Sequence, residues 1–293
     1  MSVMSGLSTA HKAVVVAVAV IGIAGSVALS RGYGDNGNAA AEAKRLTATF
    51  SALMEISRNP LQSLTTLFNG SGRVAAEEFT GTIDALRARS GPLFPSAMAF
   101  TTEAKPAGCD AEKGCWLVAY STAEDGLLKP GADMSRLEPT AVAIASAVAE
   151  PNVVKLSPAM RESDGTQFSF LAVTIKNTRQ FGVVFSVIDY TKIMKALADD
   201  WVPPGVSARI EASFPRQGGA TPAAVVYGEA AAPAGTRATY SQDIVIDQAK
   251  FTLHWDFSNT YMSAHGGNAV LAAGILGSLL LALLVATALS RPR

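Results

Sequence analysis

The chain has 293 residues, room for one large domain or two small ones at roughly 150 residues each. Apolar residues make up 49% against 16% charged, and 24 basic residues balance 24 acidic ones, which excludes a mainly disordered chain and argues against a nucleic-acid binder. Two cysteines are too few for a disulfide-dense scaffold.

Ala13 to Leu29 is an uncharged run of 17 residues. As a helix it reaches about 26 Å, the short end of a bilayer core of about 30 Å. It reads as a transmembrane helix, with a cleaved secretory signal as the alternative. Against cleavage, the run exceeds the usual signal core of about 7–15 residues, and Ser30 and Arg31 follow where a small-x-small site belongs. On either reading the following chain is exported.

Residues 31–38 are a collar of Gly and Asn. Ala39 to Phe68 reads as a long helix, because Leu46, Phe50, Leu53, Leu61, Leu64 and Phe68 recur on one stripe. Asn59 and Pro60 have the chemistry of an N-cap and a first helical residue, which predicts a kink or restart there. The stripe packs either on its own domain or along a dimer stalk. Gly70 to Gly72 break the helix, and Val74 to Arg89 form another, ended by Pro92 and Pro95.

From Trp116 the pattern changes. Residues 116–121 read as a strand, Pro139 to Ala149 as a helix, and 153–157, 168–175 and 181–188 as strands rich in β-branched and aromatic residues. Turns fall at Asp164-Gly165 and at 178–180. Asp189 caps a helix running to Asp199. A stiff linker at 200–205 carries two prolines, and four more strands follow. This order predicts an α+β fold with two antiparallel-sheet modules carrying helices, in residues 91–200 and 201–267, after a collar and helical stalk in 31–90.

Ala269 to Leu289 is an uncharged run of 21 residues, about 31 Å as a helix and a full span. Lys12 before the first run and Arg291 and Arg293 after the second place both termini in the cytoplasm. All 24 acidic residues lie between the runs, with every basic residue except those three, as suits an exported soluble domain. The 12 residues before the first run and four after the second leave no room for a cytoplasmic catalytic domain in this chain.

Three segments carry a family likeness. Residues 68–91 hold a helix end, a small-residue break and a helix containing Val74 and Phe79. Residues 127–160 hold Gly131-Ala132-Asp133-Met134, then Pro139, an alanine-rich helix and Leu156-Ser157-Pro158. Residues 181–197 hold a glycine-led strand and the helix after it. In this order, between two apolar runs, they resemble a CHASE domain over roughly residues 60–200. Thr140-Ala141 stands where that family often has basic residues, and Thr174-Ile175 replaces a usual Pro-Val-Tyr. The resemblance implies a ligand-sensing ectodomain with a long helix and tandem PAS-like modules, joined to a histidine kinase, a nucleotide cyclase or a cyclic-di-GMP enzyme. In a PAS-like module the pocket lies between the sheet face and the helices covering it. Tyr120, Asp133, Ser157, Phe170, Thr174 and Phe185 are the candidate ligand-binding residues, combining apolar walls with a few polar groups.

The chemistry of other residues is sparse. Of three histidines, His11 and His265 flank the membrane, and His254 shares a strand face with Asp256. A metal site needs more ligands, and neither a Gly-x-Ser-x-Gly elbow nor a phosphate-binding loop occurs. No enzyme activity, metal or cofactor is expected. Cys109 and Cys115 enclose a short loop, and an exported compartment favours a disulfide over free thiols or a metal. Small residues at Gly22 and Ser26, and at Ala273 and Gly277, let helices approach within the bilayer. The expected partners are the lipid bilayer, a small-molecule ligand, and a second copy or a signalling protein, with no nucleic acid. The alternative is a membrane-anchored scaffold without a small ligand, and a third reading is an exported hydrolase centred on His254.

Overall fold

The computed structural model describes residues 35–104, 114–162, 165–216, 219–265, 275–279 and 281. The first apolar run, its flanking Lys12, Cys109, Asp164, Arg291, Arg293 and most of the second run lie outside the described residues. Among the described residues no helix is long and apolar enough to cross a membrane.

Helix α1 runs from Asp35 to Ser71 with Pro60 inside it, so the helix does not restart at Asn59-Pro60. Proline costs the helix one hydrogen bond. Pro60 is itself buried, and Leu61, Leu64 and Phe68 beyond it are fully buried, which offsets that loss. The buried stripe Ala39, Ala43, Leu46, Phe50, Met54, Leu61, Leu64 and Phe68 packs on the chain's own sheets. Thirty-seven residues make α1 about 55 Å long, long enough to underlie both sheets. Helix α2 (Ala76–Ser90) follows, with Phe79 and Ile83 turned inward.

The first sheet contains β1 (Met98–Ala104), β2 (Cys115–Ser121), β3 (Lys155–Leu156), β4 (Met160–Arg161), β5 (Gln167–Lys176) and β6 (Phe181–Asp189). Its order is β2-β1-β6-β5-β3, with β4 also on β5 and every pairing antiparallel. Cys115, at the start of β2, is disulfide-bonded. Helix α3 (Glu138–Ala149) follows a 3-10 turn at Met134–Arg136, and α4 (Tyr190–Asp200) is capped by Asp189, which accepts from Thr191 and Lys192 N–H. Strand β5 is buried along nearly its whole length because both sheet faces are covered. Leu171, Val173 and Ile175 face α1 and α4, while Phe168, Phe170 and Ala172 face α3.

The second sheet contains β7 (Val206–Ser213), β10 (Ala224–Tyr227), β11 (Thr236–Ile246) and β12 (Ala249–Ser258), in the antiparallel order β10-β7-β12-β11. A small ribbon, β8 (Pro215–Arg216) with β9 (Gly219–Ala220), stands apart, and α5 (Asn259–His265) ends the domain. Phe251, Leu253, Trp255 and Phe257 of β12 turn to α1, and Arg209, Glu211, Thr252 and His254 line the opposite, polar face. One buried cluster runs through both sheets along α1. Trp255 Nε1 donates to Thr47 Oγ1 at 2.8 Å, Phe50 meets Phe251 at 6.2 Å, and Phe68 stacks on Phe100 at 4.8 Å.

Candidate functional site

The face of the first sheet beneath α3 is the ground the sequence marked for a ligand. Strand β5 presents Phe170, Ala172 and Thr174 to it, β6 presents Val183 and Phe185, β1 presents Ala99, and β2 presents Trp116 and Val118. The roof is Ala143, Ile144 and Ala147 of α3, with Leu128 and Met134 closing one side. Phe170 and Phe185 meet edge to face at 5.9 Å. These side chains are buried and fill the face from within.

The polar groups divide sharply. Thr101 Oγ1 donates to Val183 O at 3.0 Å, and Thr140 Oγ1 is engaged by the carbonyls of Met134 and Leu137. Thr174 is fully buried, and its Oγ1 has no hydrogen-bond partner. At the rim, Lys155 lies opposite Ala172 and donates to Glu150 at 2.8 Å, with Asp247 at 3.7 Å. That cation is therefore already matched by two carboxylates.

Phe170, Thr174 and Phe185 thus share the site. The other three candidates do not. Tyr120 packs on the far face, 5.6 Å from Phe100 and 6.0 Å from Phe79. The cause is a bulge: β1–β2 pairing passes from Phe100↔Tyr120 to Thr101↔Val118, so Ala119 is an extra residue and Tyr120 changes sides. Asp133 spends its carboxylate on Trp116 N, Ser135 N, Ser135 Oγ and Arg136 Nε. Burial pushes its pKa up, and these bonds outweigh it, holding the carboxyl below its ordinary value. Ser157 Oγ accepts from Phe170 N–H at 2.8 Å and donates to Pro158 O, locking the edge beside β5. Trp116, Ala143, Ile144 and Ala147 were missed. The alanines gave no signal as site residues, whereas Trp116 opened a strand already recognised.

On the second sheet, His254 shares the polar face with Asp256, its Nδ1 lies 2.8 Å from Ser241 Oγ and its Nε2 lies 3.6 Å from Glu211. Arg209 holds Glu211 at 2.5 Å, and Asp256 accepts from Thr239. Arg209, His254 and Ser241 are direct cross-strand neighbours, so the array is a ladder of polar pairs on a sheet face. Among the described residues no group of three or more His, Cys, Asp or Glu could hold a metal.

No family model matches the chain, and no curated protein does. Among solved structures, the ligand-binding domain of the Pseudomonas aeruginosa amino acid chemoreceptor PctC, in complex with GABA, matches at TM-score 0.50 and 9% identity, over 76% of this chain and 99% of that one. An extracellular ligand binding receptor from Desulfohalobium retbaense matches at TM-score 0.46 and 12% identity over 78% of this chain, which spans only 41% of that receptor's length. The periplasmic sensory domain of a Campylobacter jejuni chemoreceptor matches at TM-score 0.45 and 10% identity, over 76% and 93% of the two chains. At such identities the likeness is one of fold: mixed helix and antiparallel sheet, as in periplasmic sensor domains.

Proposed function

We propose that the chain is the sensory subunit of a two-span receptor in the inner membrane, with residues 30–268 outside and both termini in the cytoplasm. A small molecule binds beneath α3 of the membrane-distal module. The signal passes through the spans to a partner or to an output domain. The order of motifs aligns this ectodomain with the CHASE class. The observation that carries the reading is the reach of α1. At one end its Phe68 stacks on Phe100, beneath the sheet that floors the site. At the other end its Asn38, Ala41, Glu42 and Arg45 meet Tyr261 of α5 around a groove of about 450 Å³. The start of α1 and α5, the described elements nearest the two apolar runs in sequence, thus lie together, which supports a receptor with two spans.

The alternative, a membrane-anchored scaffold with no small ligand, draws on the filling of the α3 face by its own side chains. Melting of the full-length protein against a broad set of small molecules separates the two. A ligand at a hundredfold excess over its Kd stabilises by about 2.7 kcal/mol, a shift of several degrees. A saturable shift that Ala147→Leu abolishes supports the sensor, and a screen without any shift supports the scaffold. Reporter fusions check the placement: residue 150 should report outside, and a cytoplasmic residue 150 would overturn the arrangement.

A further inference from the structure

The chemistry beneath α3 restricts what can enter. Among the described residues two charged groups at its edge, Asp133 and Lys155, are already satisfied within the protein. Asp133 is held by two backbone N–H groups, Ser135 and Arg136, and Lys155 by Glu150 and Asp247. Two of the three threonine hydroxyls on this face are bonded to carbonyls. The walls are phenylalanine, tryptophan, valine, isoleucine and alanine. A zwitterion, carboxylate or ammonium entering here would lose its hydration, and neither Asp133 nor Lys155 is free to pair with it. Among the described residues of this face one group remains open, the Thr174 hydroxyl, fully buried and without a partner. A buried unpaired hydroxyl is costly, and in a native protein it calls for an explanation. The roof above it is also weak. Two of its three buried apolar residues are alanines, which bury little apolar surface and lift at low cost.

We infer that the site takes a small uncharged molecule, mainly apolar, with one hydroxyl or carbonyl group that pairs with Thr174. This rests on the sensory reading above and names its ligand class. The apolar body displaces the alanine roof from the Phe170–Phe185 floor. The single polar group satisfies the Thr174 hydroxyl, so binding removes an unpaired donor that the free protein carries.

The test compares probes of equal shape and different charge on the full-length protein in detergent. Benzyl alcohol and acetophenone form one set, and benzylamine and benzoate the other. The neutral pair should raise the melting temperature saturably, with Kd values at least about tenfold lower than those of the charged pair. Thr174→Val should weaken the neutral pair about fivefold, the worth of one hydrogen bond. The same substitution should leave the unliganded melting temperature unchanged or higher, because it removes the unpaired hydroxyl. Thr174→Ser should retain the affinity. A fall in unliganded stability on Thr174→Val, or undiminished neutral binding, overturns the assignment of Thr174. If benzylamine or benzoate binds as well as benzyl alcohol and Ala147→Leu blocks it, the site stands and the ligand class falls. If no probe of either set binds, the ligand class falls, and the broad melting screen decides the sensory reading separately.

Discussion

Gly182 lies in β6 where β1 crosses it, and a Cβ there would run into the Thr101 carbonyl oxygen and sit 2.5 and 2.6 Å from the Phe100 ring. Phe100 cannot yield, because it is stacked between Phe68 at 4.8 Å and Tyr120 at 5.6 Å. Gly182→Ala therefore overpacks the centre of the first sheet, and overpacking of this kind costs about 1–3 kcal/mol. Urea denaturation should show the midpoint falling with little change in slope; an unchanged midpoint would mean that β1 and β6 separate more readily than this packing allows. The sequence showed a glycine leading an apolar strand, but not what makes it necessary. The reason is an aromatic stack whose members come from α1, β1 and β2. The same limit governs the candidate site. Period-two reading put Phe170 and Thr174 on one face, as they are, and would put Tyr120 with Trp116 and Val118. One extra residue at Ala119 reverses that, and no side-chain pattern announces a bulge.

At the scale of elements, the β11–β12 hairpin is the least expected device. Its two turn residues, Asp247 and Gln248, both have positive φ, at 48° and 66°, as a two-residue hairpin turn requires. Asn-Gly or Asp-Gly usually marks such a turn, so Asp-Gln gave no sequence signal. Asp247 binds across the molecule instead: its carboxylate accepts the Leu156 N–H of β3 and lies 3.7 Å from Lys155. Strand β1 escaped notice for a related reason, since MAFTTEA has no clean alternation and takes its place from Val183 to Ser186 and from β2. The long helix, α3, β5, β6 and the four large strands of the second sheet were legible because their apolar spacing is strong. Asp247→Ala leaves the buried Leu156 N–H unpaired and should cost about 1–3 kcal/mol, while Asp247→Asn keeps an acceptor. Asp247→Asn also separates from the parent by pH. Burial pushes the Asp247 carboxyl above its ordinary 3.8, against the pull of the Leu156 N–H, Lys155 and Arg58. A carboxyl raised in the folded state contributes most below 3.8, and its contribution is lost as pH rises through the folded value. The stability of Asp247→Asn relative to the parent should therefore increase with pH across that window. Urea melts between about pH 3 and 7 read this directly, and a flat or falling difference would contradict it.

At the scale of the whole molecule, the question is whether the two sheets answer as one body. A ligand beneath α3 moves nothing at the chain ends unless the intervening structure has fixed mutual positions and the ligand prefers one arrangement. Ties among the described residues cross between the sheets at several points. Helix α1 carries Phe50 against Phe251 and Phe68 against Phe100, the Asp247 turn grips β3 just beyond α3, and Gln167 Nε2 donates to Val225 O at 2.6 Å. Strand β12 then leads directly into α5, which packs beside the start of α1. The hydrogen bond from Trp255 to Thr47 lies in this seam, fully buried on the indole side and far from the α3 face. Thr47→Val leaves the indole N–H unpaired and should cost about 1–3 kcal/mol. If both sheets open only together, native-state hydrogen exchange should show the slowest amides of β5 and of β12 losing the same protection, although the substitution touches only the second sheet. Loss confined to β12 would make the sheets independent units. Ligand stabilisation of the first sheet would then not reach α5 through the fold, and the receptor reading would lose its route to the membrane.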